Sequence, residues 1–307
     1  MKKVKDLSGR ELRQALAGPG LRVATGPFGC QFQSTMSAVA PDLARLYAEH
    51  ELLDESSFID FYVRVEPSSG LRRWFRPKAI FSVDGVHPFT PLPADQALPM
   101  LEWGLNWCIT AYCHHLLVLH AATVARGPHA LILPAPPGSG KSTLCAALVN
   151  RGWRLLSDEL TLIDMRDGRV HGLSRPVNLK NQSIDVIRRF APDAFLSKPV
   201  HDTTKGTVAM MAPPAASVAA VLEPAWPRWV ALPRWSAGAA TELTELAPGE
   251  AFLHLADNAM NYHIVAEQGF EALGRLIDGA RAFHFRYSDL DDAIATFDRL
   301  AAEQASS

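Results

Sequence analysis

Alternating apolar and polar positions dominate the first hundred residues. Apolar side chains recur at about every second position over 58–65 and 79–83, between breaks rich in proline and glycine. A period of two predicts strands with one buried face, and the pattern around Leu12 adds a short helix ahead of them. We therefore expect an antiparallel sheet in an N-terminal α+β region, 1–100, that serves docking or assembly.

The pattern changes after a segment with four prolines between positions 88 and 99, where apolar residues begin to recur at helical spacing over 97–119. An apolar strand at 130–133, a glycine loop, a helix at 142–150 and a strand at 154–156 follow. This order is a βαβ unit, so we predict an α/β core with parallel strands in a mixed sheet over 101–307. Further strands are predicted at 160–163, 219–222, 229–232 and 281–286, with a hairpin turn at Asp167–Gly168 and a helix at 291–302.

Composition narrows the class of protein. A chain of 307 residues, 48% of them hydrophobic, is long enough to bury a large core. Lysine and arginine number 30 against 32 acidic residues, and no basic block stands out, which argues against nucleic acid as the main partner. The chain has no run of eighteen apolar residues and no apolar signal core, so we expect a soluble, cytoplasmic protein without a membrane span. Its four cysteines are too few for a disulfide framework and are expected as buried thiols.

A glycine-rich loop follows the strand at 130–133. The nucleotide-binding pattern of glycine, four residues, glycine, lysine and serine or threonine is present, except that Ala135 takes the place of the first glycine. Glycines let backbone N–H groups surround phosphate oxygens, and the next helix directs its positive dipole end at the same anion. The predicted nucleotide-binding residues are Pro137, Gly138, Ser139, Gly140, Lys141, Ser142 and Thr143.

The chemistry of this loop indicates a nucleoside triphosphate with Mg²⁺, and the nucleotide is taken to be ATP because no segment that would read the base is visible. Lys141 supplies a cation for the β and γ phosphates, and the Ser142 hydroxyl is placed to ligate Mg²⁺. The alternative is a glycine-rich turn that happens to contain a lysine.

An acidic pair, Asp158–Glu159, follows the strand at 154–156, sixteen residues after Ser142. Ligands of α/β sheets bind at the carboxyl ends of strands, so this pair is predicted to face the same crevice as the glycine-rich loop. A carboxylate there can hold the metal or accept a proton from an attacking hydroxyl. The alternative is a solvated turn after a strand.

These motifs together resemble a known family. His120 stands fifteen positions before the loop, and the segment 151–159 reads Arg-Gly-Trp-Arg-Leu-Leu-Ser-Asp-Glu. Over 117–165 the chain resembles bacterial HPr kinase/phosphorylase, and it is more similar still to HPr kinase-related kinases with a divergent N-terminal region. The resemblance implies a P-loop core like that of phosphoenolpyruvate carboxykinase, and a possible homo-oligomer. It also implies transfer of the γ-phosphoryl group of ATP to a serine hydroxyl on a protein or peptide.

By the same resemblance, Asp158 is the general base and Glu159 a ligand of the metal or its water. His120 then lies beside the reacting phosphate. The family has aspartate where this chain has Glu159, which keeps the charge and lengthens the reach.

The later glycine-rich signature of the family, with its Mg²⁺-binding glutamate, is not found. The segment 175–183 stands in its place, where Arg175 and Lys180 either clamp the γ-phosphate or form a basic surface turn. The polar segment 201–207 is either a mobile loop over the nucleotide or a plain linker. Two other functions stay open, a kinase for a small molecule and a nucleotide-sensing module without catalysis.

Overall fold

The computed structural model describes residues 2–70, 75–136 and 138–305, and it shows a mixed α/β protein with several sheets. The helices are α1 Gly9–Ala17, α2 Val39–Leu46, α3 Ala97–Tyr112, α4 Lys141–Val149, α5 Gln182–Phe190, α6 Ala215–Ala219, α7 Pro248–Asp257, α8 Tyr262–Gly279 and α9 Leu290–Ala305, with short 3₁₀ helices at Val4–Asp6 and Ala94–Gln96. The strands are β1 Leu21–Thr25, β2 Phe28–Gln33, β3 Phe61–Pro67, β4 Lys78–Val83, β5 Leu92–Pro93, β6 Leu116–Leu119, β7 Ala121–Arg126, β8 His129–Pro134, β9 Arg154–Ser157, β10 Thr161–Asp164, β11 Val170–His171, β12 Val177–Lys180, β13 Val200–Thr203, β14 Gly206–Met211, β15 Trp226–Trp235, β16 Glu242–Glu245 and β17 Arg281–Tyr287.

The N-terminal region contains the predicted sheet, in the order β1-β2-β3-β4-β5. Its strands pair antiparallel except β2 and β3, which are parallel because the long connection carrying α2 crosses over between them. The apolar positions of β3 face a core completed by α1, α2 and α3. Phe58, which we expected inside the strand, lies outside it and is 81% exposed.

The predicted helix over 97–119 is wrong in its last third. Helix α3 ends at Tyr112, and Leu116–Leu119 forms the buried strand β6, which pairs antiparallel with β10. A short apolar run that is buried on all sides shows no period, so the sequence pattern could not separate this strand from the helix before it.

The central sheet has the order β16-β17-β15-β8-β7-β9. Strands β15 and β17 run parallel to β8, whereas β7 is antiparallel to both β8 and β9. The predicted βαβ unit is therefore present with an extra strand, because β7 lies between β8 and β9. Alternate residues of β8 pack on opposite faces, Leu131 and Leu133 towards α4 and α9, and Ala130 and Ile132 towards α7 and α8.

Two small sheets, β11-β10-β6 and β12-β14-β13, complete the fold. The turn at Asp167–Gly168 joins β10 to β11, as predicted. The segment 201–207 forms the hairpin of β13 and β14, and the predicted strand at 219–222 is wrong because α6 and a turn occupy it.

All four cysteines are buried and free, as expected. Among residues 2–70, 75–136 and 138–305, the helices are all too short or too polar to cross a membrane.

Candidate functional site

Several strands of the central sheet end at one edge. Strands β8, β9, β15 and β17 run in the same direction, so their carboxyl ends lie together. The glycine-rich loop, 135–140, follows β8, and Asp158 follows β9 directly. Trp235 and Tyr287 end β15 and β17 on the other side of the loop. This edge is the place where α/β sheets bind ligands.

The glycine-rich loop delivers the chain into the N-terminus of α4. Gly140 has φ +93° and helix α4 begins at the next residue, Lys141. The Tyr287 hydroxyl donates to the Gly140 carbonyl at 3.1 Å, and the backbone N–H of Trp235 donates to the Ser139 carbonyl at 2.9 Å. A Cβ on Gly140 would lie 2.5 Å from the Tyr287 hydroxyl oxygen, so only glycine fits there.

Three other residues with a predicted role in nucleotide binding lie in the loop or at the start of α4. Gly138 also has a positive φ, +86°, and Ser142 and Thr143 are half-buried in the first turn of α4. Pro137 lies outside the described residues. The first turn of a helix directs N–H groups and the positive end of its dipole at any anion bound in front of it.

The buried Lys141 contacts the half-buried His120. The Nζ atom of Lys141 lies 3.2 Å from Nε2 of His120. Burial lowers the pKa of Lys141, against the attraction of Asp158 and Glu159. Burial and the neighbouring ammonium group lower the pKa of His120 to about 4, so the imidazole is neutral near pH 7 and can accept a hydrogen bond from the lysine.

Asp158 is a buried carboxylate with one free oxygen. Its Oδ2 accepts the Asn178 backbone N–H at 2.9 Å, whereas Oδ1 has no hydrogen-bond partner among the described residues. Burial, and then repulsion from Glu159, raise the pKa of Asp158 to about 6, with Lys141 opposing them. A carboxylate with such a pKa is ionised at neutral pH and close to the value at which it can also take up a proton.

Glu159 lies among cationic and amide groups. Its Oε2 accepts the side-chain amide of Asn106 at 2.5 Å, and its Oε1 lies 3.7 Å from Lys180 Nζ and 3.8 Å from Lys205 Nζ. Burial raises the pKa of Glu159, but Lys205 and Lys180 outweigh it, and the pKa falls below its ordinary value. Near pH 6, therefore, Glu159 is ionised, whereas about half of the Asp158 carboxyl groups carry a proton.

Arg175 takes part in a different contact from the one considered in the sequence. Its guanidinium donates to Glu102 Oε2 and to Asn106 Oδ1, each at 2.6 Å, and Glu102 also accepts the Tyr47 hydroxyl at 2.6 Å. Arg175 is almost fully buried, and Glu102 raises its pKa against the effect of burial. The arginine thus supports Asn106, which in turn contacts Glu159, instead of reaching out as a phosphate clamp.

A small cavity of about 20 Å³ lies between the acidic pair and Arg175, with room for about one water molecule or ion. Asp158, Glu159, Asn178 and Arg175 line it. Besides Asp158 Oδ1, the side-chain oxygen of Asn178 is buried without a partner among the residues described. Unpaired buried polar atoms are costly, and the Nε–H of Arg175, which lines the same cavity, is an unpaired donor. The cavity is therefore suited to water, which both donates and accepts, or to a cation together with its water.

Asn178 was missed as a functional residue in the sequence. It lies inside the segment 175–183, which was interpreted through its basic residues Arg175 and Lys180. A single asparagine on a strand does not by itself indicate a binding role. No cluster of three or more histidine, cysteine, aspartate or glutamate side chains able to hold a metal is found in the described part of the chain.

Comparison with known proteins adds a distant structural likeness. No protein-family model matches the sequence, and no curated protein matches it. Among the solved structures that match is the HPr(Ser) kinase/phosphatase from Coxiella burnetii, with 11% sequence identity and a TM-score of 0.26 over 61% of this chain and 98% of that one. At this similarity the functional argument has to come from the residues of the site.

Proposed function

We propose that the protein is an ATP-dependent kinase that transfers the γ-phosphoryl group to a serine hydroxyl of a small protein or peptide. One observation carries the proposal: Lys141 begins a helix after the left-handed Gly140 and is buried within electrostatic reach of Asp158. A helix start that can bind phosphate, next to a carboxylate that can accept a proton, is suited to phosphoryl transfer to a hydroxyl.

The nucleotide phosphates would lie against the glycine-rich loop. Backbone N–H groups at the start of α4 and the Lys141 ammonium face the same anion. An incoming phosphate would draw Lys141 away from His120, since a neutral imidazole is a weaker partner than a doubly charged phosphate. Before the nucleotide binds, His120 would hold the ammonium group close to the glycine-rich loop.

The residues present fit Mg²⁺. The Ser142 hydroxyl, Asp158 Oδ1 and the side-chain oxygen of Asn178 are oxygen donors of the kind this ion prefers, and the latter two lack partners within the described residues. They would hold Mg²⁺, which in kinases neutralises charge on the phosphates, while Glu159 would orient water in its outer shell.

Asp158 would act as the general base. The serine oxygen forms its bond to the γ-phosphorus, the bond from that phosphorus to the bridging oxygen of ADP breaks, and the serine proton passes to Asp158. The Asn178 N–H fixes one oxygen of the carboxylate and leaves the other for this proton or for the metal. Above about pH 6 the carboxylate is ionised and can accept the proton.

The test is incubation with γ-labelled ATP and Mg²⁺ against a pool of serine-containing peptides and, separately, free serine and small hydroxyl metabolites. Wild type is compared with Lys141→Ala and Asp158→Asn. The matched controls are Lys198→Ala and Asp193→Asn, which change exposed residues of the same types. We expect label on peptide serine in wild type and both controls, loss of ATP binding in Lys141→Ala, and loss of transfer with ATP binding retained in Asp158→Asn.

Other outcomes would point elsewhere. Label on a small metabolite but on no peptide would establish a small-molecule kinase. ATP binding that survives in Asp158→Asn, without transfer by any variant, would identify a nucleotide sensor. In a working kinase, kcat/KM should rise with pH and level off above about pH 6, where Asp158 is ionised.

A further inference from the structure

A second, larger cavity lies between the end of the N-terminal sheet and the hairpin of β13 and β14. Its volume is about 470 Å³, within the range of pockets that bind small molecules or side chains. Its walls are mostly aromatic and aliphatic, and they include Phe89, Leu92, Met100, Trp103, Trp107 and Lys205. Lys205 is the one charged residue among the lining residues that the structure describes.

Lys205 joins this cavity to the acidic pair. Its Nζ lies 4.7 Å from the centre of the Trp103 ring, which is a cation–π contact, and 3.8 Å from Glu159 Oε1. The lysine is held at the turn of the hairpin, where Gly206 takes a φ of +82°. The Lys205 ammonium group therefore contacts both Trp103 in the wall of the cavity and the Glu159 carboxylate.

Helix α3 makes a second connection. Trp103, Asn106 and Trp107 are spaced so that they share one face of the helix. The two tryptophans line the cavity, and Asn106 donates to Glu159 Oε2. Two independent contacts thus fix the cavity next to the carboxylates.

The position of the cavity relative to the glycine-rich loop shows which substrate it serves. In the central sheet, β15 and β17 lie on one side of β8 and carry Trp235 and Tyr287 to the loop. Strand β9 lies on the other side and carries Asp158, and the cavity is linked to this side by its lining residue Lys205, which contacts Glu159. An acceptor hydroxyl must approach Asp158, so the cavity lies on the acceptor side of the phosphates.

We infer that this cavity binds an aromatic side chain of the acceptor peptide, near the serine that receives the phosphoryl group. The inference rests on the proposed function. Aromatic rings prefer edge-to-face contacts with other rings, and Phe89 and Trp107 already form such a pair with ring centres 5.7 Å apart. The Lys205 ammonium adds attraction for the face of an inserted ring and none for an aliphatic chain.

A binding experiment tests the cavity without any need for catalysis. The full chain is titrated with N-acetylphenylalaninamide and, as a matched probe, N-acetylalaninamide, and binding is followed by saturation-transfer NMR. In Thr90→Trp an exposed rim residue is enlarged to fill the cavity, and Thr244→Trp enlarges an exposed threonine on β16 as a control. We expect the phenylalanine probe to bind wild type and Thr244→Trp, and to lose binding at least about tenfold in Thr90→Trp.

A kinetic experiment tests the link to transfer. Serine peptides that differ only by phenylalanine or alanine near the serine are compared, and we expect a kcat/KM ratio of about ten or more in wild type. The ratio should fall towards one in Thr90→Trp, with the alanine peptide and the affinity for a fluorescent ATP analogue unchanged.

The outcomes separate the two proposals. Failure of the phenylalanine probe to bind wild type, or equal kcat/KM for both peptides, would overturn the inference while leaving the kinase in place. Loss of ATP binding in Thr90→Trp would overturn it by placing the nucleobase in the cavity. Probe binding that is lost in Thr90→Trp, with no ATP binding in any variant, would support the aromatic site and refute the kinase.

Discussion

Replacement of Asp158 by asparagine should make the protein more stable at neutral pH. The pKa of this carboxyl is raised from 3.8 to about 6, chiefly by burial, so the folded protein holds the charged form at a cost. The folded pKa lies above the unfolded one, and the folded state therefore binds the proton more tightly. The free energy of unfolding then falls as pH rises from about 4 to about 6 and stays low above that.

The size of the effect follows from the pKa. A rise of the Asp158 pKa from 3.8 to about 6 lowers the free energy of unfolding by about 3 kcal/mol at pH 7.5, relative to low pH. Roughly half of this decrease has already occurred at pH 5. Asparagine has no charge to bury and can still accept the Asn178 N–H. Lys141 loses one attractive carboxylate in the variant, so about 3 kcal/mol is the upper limit of the gain.

Urea unfolding of wild type and Asp158→Asn at about pH 5 and about pH 7.5 measures this difference. We expect the variant to be more stable at both values, by about twice as much at the higher one. Asp164→Asn is a control of opposite sign, because its contact with Arg166 lowers the pKa of Asp164, and its loss should weaken the fold at neutral pH. An Asp158→Asn protein that is no more stable than wild type at pH 7.5, or equally stabilised at both values, would refute the reasoning.

Further predictions concern the supporting residues. Tyr47→Phe removes the hydroxyl that donates to a buried carboxylate and should lower the free energy of unfolding by about 1.5–3 kcal/mol, whereas Tyr62→Phe, at a half-exposed tyrosine of β3, should change it by less than about 0.5 kcal/mol in urea unfolding. Gly138→Ala should cost about 1–2 kcal/mol through its positive φ alone, and Gly140→Ala more, because its Cβ also meets a tyrosine hydroxyl; the two urea midpoints should be clearly different. His120→Gln should leave the shape of the pH–rate profile between about pH 5 and 8 unchanged, since the histidine is already neutral there, and a shifted profile would contradict this.

Local signals in the sequence predicted several elements well. The strand at 281–286 is confirmed as β17, and the helix at 291–302 lies within α9, because each has a clear period and is bounded by polar turns. The glycines and Lys141 marked the loop and the start of α4, since positive φ and a helix start are local properties of a few residues.

Long-range pairing could not be predicted in the same way. Arg175 stood in a basic segment, and nothing near it in sequence indicated that Glu102, on a helix 73 positions earlier, would take its guanidinium. The metal-facing role proposed for Asn178 depends on the small cavity beside Asp158, which exists only once β9 and β12 are packed together. The division at residue 100 remains a prediction.

The ion pair between Arg175 and Glu102 limits where the chain can be truncated. Through Tyr47, the buried carboxylate of Glu102 is tied to the end of α2 in the N-terminal region, and through Asn106 the same group of contacts reaches Glu159. A fragment that begins near residue 101 would open Glu102 and Arg175 to water and loosen the support of Glu159. The first hundred residues are therefore part of the scaffold of the acidic pair, and a change in their packing would be passed to Glu159 through this chain of contacts.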